Sequence, residues 1–81
     1  MIRVEHDREA KALYIYLSEK PYAFGEDLDS QRRIDYAEDR TPIGIELLNV
    51  DRGVDLSDLP DAANVAAAID GYDIIPRRVA I

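Results

Sequence analysis

The chain contains no cysteine. It can therefore build neither a disulfide framework nor a thiolate metal site. It has one histidine, His6, and no His/Cys spacing of the kind that holds a transition metal. No apolar run approaches the roughly 18–20 residues that a helix needs to cross a bilayer. Arg3, Glu5 and Asp7 interrupt the stretch where a signal peptide would carry its apolar segment. Glycine-rich phosphate loops and a serine elbow are also missing. Basic residues are scarce, with 10 Lys and Arg against 17 Asp and Glu and a net charge of −7. Residues 1–40 carry 7 basic and 10 acidic side chains and residues 41–81 carry 3 and 7, so neither half is a basic arm. Such a chain repels phosphate backbones, and no nucleic-acid partner is expected. These absences point to a soluble cytoplasmic protein that needs no cofactor.

What is present is enough for one small fold. The chain has 81 residues and 47% of them are apolar, too many for disorder. A domain of this size buries only roughly 60% of its unfolded surface, which makes support by oligomerisation more valuable. A single domain over 1–81 is expected, with a sheet in 1–50 and a helix and tail in 57–81.

The most informative stretch is Lys11-Ala12-Leu13-Tyr14-Ile15-Tyr16-Leu17-Ser18. Leu13, Ile15 and Leu17 alternate with Ala12, Tyr14 and Tyr16, giving a strand with one aliphatic and one aromatic face. Apolar character on both faces predicts a central strand covered on both sides. Before it, Ile2 and Val4 alternate with Arg3 and Glu5, predicting a first strand paired through a turn at 6–10. Pro21 ends the central strand. Residues 22–29 read as an irregular or short extended segment, because Gly25, Glu26, Asp27 and Asp29 argue against a central position. A third strand is expected over 31–37, with Ile34 and Tyr36 inward, and a fourth over 42–50. In the fourth, Ile43, Ile45 and Leu47 share one face, and Gly44 suggests a bulge or a close approach.

A helix is expected to start near 57–60, capped by Ser57 or Asp58 with Pro60 in its first turn. Ala62, Val65, Ala66 and Ile69 give it an apolar stripe at i, i+3, i+4, i+7. Gly71 is expected as its left-handed C-terminal residue. Tyr72-Asp73-Ile74-Ile75 and Arg77–Ile81 are apolar enough for short strands broken by Pro76. The fold class is thus α+β: an antiparallel sheet of about four strands with one C-terminal helix packed on one face.

The segment Asp7-Arg8-Glu9-Ala10-Lys11-Ala12-Leu13-Tyr14-Ile15-Tyr16-Leu17 resembles the opening motif of a small prokaryotic family known as domain of unknown function 2283. Ile34-Asp35-Tyr36-Ala37-Glu38-Asp39 and Ile43-Gly44-Ile45-Glu46-Leu47-Leu48 resemble its later blocks, so the likeness spans about residues 2–50. The family usually places Gly in the turn before the last of these strands. Here the turn is Asp39-Arg40-Thr41-Pro42, in which Asp39 can adopt the left-handed geometry and the turn type stays open. The resemblance implies an antiparallel sheet and no established activity. Toxin-like genes beside some relatives imply an antitoxin-like role.

Residues able to do chemistry are few. His6 beside Asp7 has the form of a carboxylate-oriented base, yet no nucleophile accompanies it, and a turn residue is the plainer reading. Glu26, Asp27 and Asp29 could ligate a hard cation, but they lack the spacing of a calcium loop. Asp35, Glu38, Asp39 and Glu46 read as surface charge. The pairs Arg32-Arg33 and Arg77-Arg78 read as paired strand charges, or else as contacts to a phosphate or an acidic partner. Tyr14 and Tyr16 combine apolar area with a polar tip, as interface residues do.

No catalytic, cofactor-binding or metal-binding residue is assigned, and no enzyme is expected. The expectation is a protein-interaction module, antitoxin-like, that forms a homodimer or binds a small protein partner and has no membrane role. Its candidate interface is Tyr14, Tyr16, Tyr72, Ile74, Ile75, Val79 and Ile81. The alternative is a small-ligand or metal-binding domain using the acidic loop.

Overall fold

The computed structural model describes residues 2–72 and 76–77. Five antiparallel strands form the main sheet: β1 (Arg3–Asp7), β2 (Ala12–Tyr16), β3 (Phe24–Asp27), β4 (Arg32–Tyr36) and β5 (Pro42–Leu48), in the spatial order β1-β2-β5-β4-β3. One helix, α1 (Ala62–Ile69), follows them, so the class is α+β. The strand count exceeds the expected four because residues 24–27 pair with β4 as an edge strand, Phe24 opposite Tyr36 and Asp27 opposite Arg33. An edge tolerates Gly25 and the acidic side chains that a central strand would not.

Alternation sorts the sheet into two faces. Val4, Ile15, Ile45 and Ile34 lie opposite one another across four strands, and Leu13 pairs with Leu47. Leu13, Ile15 and Ile45 have no exposed surface. Helix α1 closes over this aliphatic face with Val65 and Ile69, both fully buried, while Ala62 packs beside them. The helical stripe therefore lies where its spacing places it. Burying a side chain such as Ile45 or Ile69 contributes roughly 1.5–3 kcal/mol. Tyr36, expected inward, is half-buried and stacks on Phe24 with ring centroids 5.1 Å apart.

Strand β2 is interior but is not the middle strand; β5 is. Nor do the described residues cover β2 on both sides. Among the described residues only the aliphatic face carries a helix, and the face bearing Tyr14 and Tyr16 is left open. The irregularity expected at Gly44 falls beside it. Asp35 pairs with Gly44 and Tyr36 with Pro42, which leaves Ile43 as the extra residue. The Ile43 carbonyl accepts from the backbone N–H groups of Leu17 and Ser18 instead.

The turns differ from expectation in detail. In the 8–11 loop Asp7 Oδ1 accepts from the Ala10 N–H at 2.9 Å, and Lys11 takes the left-handed conformation. In the 39–42 turn the left-handed residue is Arg40, not Asp39. Asp39 instead accepts from the Thr41 N–H at 3.0 Å.

Residues 50–61 form a connection rather than a helix start. A 3-10 turn (Val50–Arg52) leads through Gly53, at φ 94°, into the two-residue strand β6 (Val54–Asp55). Asp55 Oδ1 accepts from the Ser57 N–H and hydroxyl, so neither Ser57 nor Asp58 caps α1. Asp61 holds the N-cap position in left-handed geometry, and its carboxylate accepts from Asn64 Nδ2 at 2.9 Å. At the other end α1 runs on as a 3-10 turn (Asp70–Tyr72), so Gly71 continues the helical path rather than terminating it.

Strand β7 (Pro76–Arg77) pairs in parallel with β6, Val54 opposite Pro76 and Asp55 opposite Arg77. Pro76 therefore sits in a strand rather than breaking one. The rest of the tail, with Ile74, Ile75, Arg78, Val79 and Ile81, lies outside the described residues.

Candidate functional site

The open face of the sheet collects most of the polar chemistry of the chain. The strand period of two puts Arg3 and Glu5 of β1, Tyr14 and Tyr16 of β2, Glu46 of β5, and Arg33 and Asp35 of β4 on this side. The two tyrosines meet edge to face, with ring centroids 4.7 Å apart.

Tyr14 is the best-fixed of these groups. Its hydroxyl donates to Asp35 Oδ2 at 2.7 Å, spanning β5. It can do so because β5 has no side chain in the way: a Cβ on Gly44 would run into the Tyr14 phenol. Gly44 is thus the site of close approach, made by a side chain. Partial burial and the bond to Asp35 push the Tyr14 phenol well above its ordinary value of 10.0.

Asp35 also accepts from Arg33 Nε at 3.2 Å. Arg33 donates in turn to the Tyr22 hydroxyl at 3.2 Å and reaches Asp27 at 3.6 Å. Its guanidinium lies across Gly25, where a Cβ would collide with it. The bonds to Tyr22 and Asp35 raise the pKa of Arg33 further.

On the β1 side Tyr16 donates to Glu5 Oε1 at 2.7 Å, and this bond raises its phenol pKa. The Arg3 guanidinium lies 4.0 Å from the Tyr16 ring centroid. An open groove of about 740 Å³ runs along this end of the face between Arg3, Tyr14, Tyr16, Lys20, Tyr22 and Ile43. Tyr22 is 57% exposed at its rim. Lys20 beside it is held by Asp39 at 2.6 Å and Thr41 at 3.1 Å. That contact keeps the Asp39 carboxyl well below the usual carboxylate range.

The expected interface residues do not all meet. Tyr14 and Tyr16 share the open face, whereas Tyr72 lies on the helix side, its ring 6.0 Å from His6 and edge-on to it. His6 is half-buried there opposite Leu13, not solvated in a turn, and its Nδ1 is buried without a partner among the described residues. Tyr22, Arg3 and Asp35 were not singled out as interface residues. For Tyr22 no periodic signal exists, since residues 17–23 are irregular and only the tertiary fold brings its hydroxyl to Arg33.

The acidic loop is dispersed. Glu26 pairs with Arg40 at 3.4 Å, Asp27 with Arg33, and Asp29 with Arg32 at 2.8 Å. The Gln31 backbone N–H and Arg32 hold the Asp29 carboxyl below its ordinary range. Among the described residues no three His, Cys, Asp or Glu side chains gather as a metal site would require. The pair Arg32-Arg33 is split by the sheet. Arg32 points to the helix side, where it donates to the carbonyls of Asp55 at 3.1 Å and Ser57 at 2.6 Å. No helix of the described residues is long and apolar enough to cross a membrane.

Together these features define a small α+β sheet domain with one helix-covered face and one open, tyrosine-lined face. Residues 3–50, more than half of the chain and all five strands of the main sheet, match the family described as "Protein of unknown function (DUF2283)", and the chain belongs to that family. No curated protein and no solved structure matches it.

Proposed function

We propose that this protein is a non-enzymatic, cytoplasmic protein-interaction module whose binding surface is the open face of the sheet. The single observation that carries this reading is the tyrosine face left open by the described residues: Tyr14 and Tyr16 stand on the sheet and Tyr22 at its rim, with their hydroxyls fixed by Asp35, Glu5 and Arg33. Tyr and Arg are the side chains that interfaces enrich, because they give large contact area with few degrees of freedom. Fixing them in advance reduces the ordering cost of binding. The carboxylates Glu5, Asp27, Asp35 and Glu46 outnumber Arg3, Arg33 and Lys20 on this face, and the whole chain carries −7. Charge complementarity therefore favours a small basic protein as partner. An antitoxin-like role, in which an acidic module covers a basic protein, fits that charge. Ligand binding at the acidic loop is the weaker reading, because its three carboxylates are engaged by three different arginines.

The test is affinity purification from native host extract, comparing the wild-type chain with a Tyr16→Ala/Tyr22→Ala variant and an exposed helix variant, Asn64→Ala. A basic protein held by the wild type and by N64A, but lost from the tyrosine variant at unchanged thermal stability, is expected. Equal retention by all three would contradict the assignment of this face.

A further inference from the structure

The main sheet has two edges, β1 and β3. Among the described residues each has no strand on its outer side, and an edge is either blunted or paired. The two edges differ in what they would present to a second copy of the chain. In an antiparallel pair about a two-fold axis normal to the sheet, one residue faces itself and its neighbours cross over.

Strand β3 cannot satisfy that arrangement well. Its charged residues, Glu26 and Asp27, are both acidic. An axis at Glu26 sets carboxylate against carboxylate, and any other axis leaves both acids without a cation from the opposing strand.

Strand β1 has one favourable register. An axis at Arg3 opposes two guanidinium groups, and an axis at Glu5 opposes two carboxylates. With the axis at Val4, Arg3 of each copy faces Glu5 of the other, twice. On the helix side the same register sets Val4 against Val4 and Ile2 against His6. All three are half-buried in the single chain and would gain cover from the second copy.

The charged groups are accessible for these contacts. The Arg3 and Glu5 side chains are 67% and 58% exposed, and their contact within the chain is 3.5 Å, at the long limit of a hydrogen bond. Tyr16 uses only Oε1 of Glu5. That leaves Oε2 for a guanidinium from across the axis.

The geometry points to a homodimer formed by antiparallel β1–β1 pairing about Val4, with reciprocal Arg3–Glu5 contacts between copies. The result is one continuous ten-stranded sheet, twice the five strands of each copy. Both helices lie on one side of it and both tyrosine faces on the other. Because Tyr16 sits opposite Arg3, one strand in from the edge, the two open faces join across the axis. The pairing closes after two copies, so it does not propagate into a filament. It stands independently of the partner assigned to the open face.

A charge exchange between copies tests it. Sedimentation at high micromolar concentration should give twice the 9.1 kDa chain mass for the wild type. Arg3→Glu and Glu5→Arg should each reduce the mass to 9.1 kDa with the circular dichroism of the fold retained. An equimolar mixture of the two variants should recover the doubled mass, because every opposed pair is then of opposite sign. A monomeric wild type, a single variant that stays dimeric, or a mixture that stays monomeric would overturn the proposal. Should a single variant lose its fold, the double variant R3E/E5R decides: a doubled mass supports the pairing and a single mass refutes it.

Discussion

Tyr14 and Gly44 occupy neighbouring strands, and each needs the other. The phenol can cross β5 to Asp35 only because position 44 carries no side chain. Part of this was legible in the sequence. The alternation through residues 12–17 places Tyr14 and Tyr16 on one face, and a glycine among β-branched neighbours signals a close approach. The acceptor was not legible, since Asp35 lies 21 residues away and its register with Tyr14 passes through β5. Removing the hydroxyl with Tyr14→Phe should destabilise the domain by about 1.5–3 kcal/mol, the usual net worth of a bond to a charged acceptor. The same variant should change the alkaline limb of stability. The Tyr14 pKa is raised in the folded state, so above pH 10 the unfolded chain releases a proton that the folded one keeps. That contribution is fully present below pH 10 and is lost as pH rises from 10 towards the folded-state value. Denaturation followed from neutral to strongly alkaline pH should show stability falling in the wild type and falling less in Y14F. In a spectroscopic titration of the folded protein, the Tyr14 phenol should ionise well above pH 10.

The strands were the most readable elements because a half-buried antiparallel sheet imposes a period of two. Strands β1, β2, β4 and β5 fall within about two residues of their expected bounds, and the i, i+3, i+4, i+7 stripe of α1 is buried as its spacing requires. Strand β3 was less visible, since an edge strand with one half-buried aromatic and two acids has almost no alternation to read. The start of α1 was misplaced because Ser57 and Asp58 are good caps in general, and in this chain Asp55 takes Ser57 into a turn of its own. What holds that turn to the sheet is Arg32. Its side chain is 10% exposed and joins β4 to the 54–57 segment through two backbone carbonyls, with the Asp55 carboxylate at 3.7 Å. Arg32→Ala should cost about 3 kcal/mol, because it leaves Asp55 and two carbonyls short of a largely buried cation. Arg32→Lys should recover only part of that, since an ammonium lacks the planar fork that reaches several acceptors at once. Thermal unfolding gives the first number. Amide exchange confined to residues 54–57 distinguishes loosening of this segment from loss of the whole sheet.

At the scale of the molecule, the asymmetry of the sheet is the feature that calls for an explanation. One face is closed by Val65 and Ile69, and the other holds a tyrosine, arginine and carboxylate network that the described residues do not cover. Net charge was readable from composition, and the lack of long apolar runs from residue order. The open face was not, because an aromatic alternation looks the same whether a second layer or a partner covers it. Side-chain oxidative footprinting of the protein, free and bound to the basic partner recovered with it, tests the account most directly. Tyr16 and Tyr22 should be labelled readily in the free protein and shielded in the complex, with Tyr72 on the helix side labelled equally in both. Unchanged labelling of Tyr16 and Tyr22 on binding, with protection on the helix side instead, would contradict it.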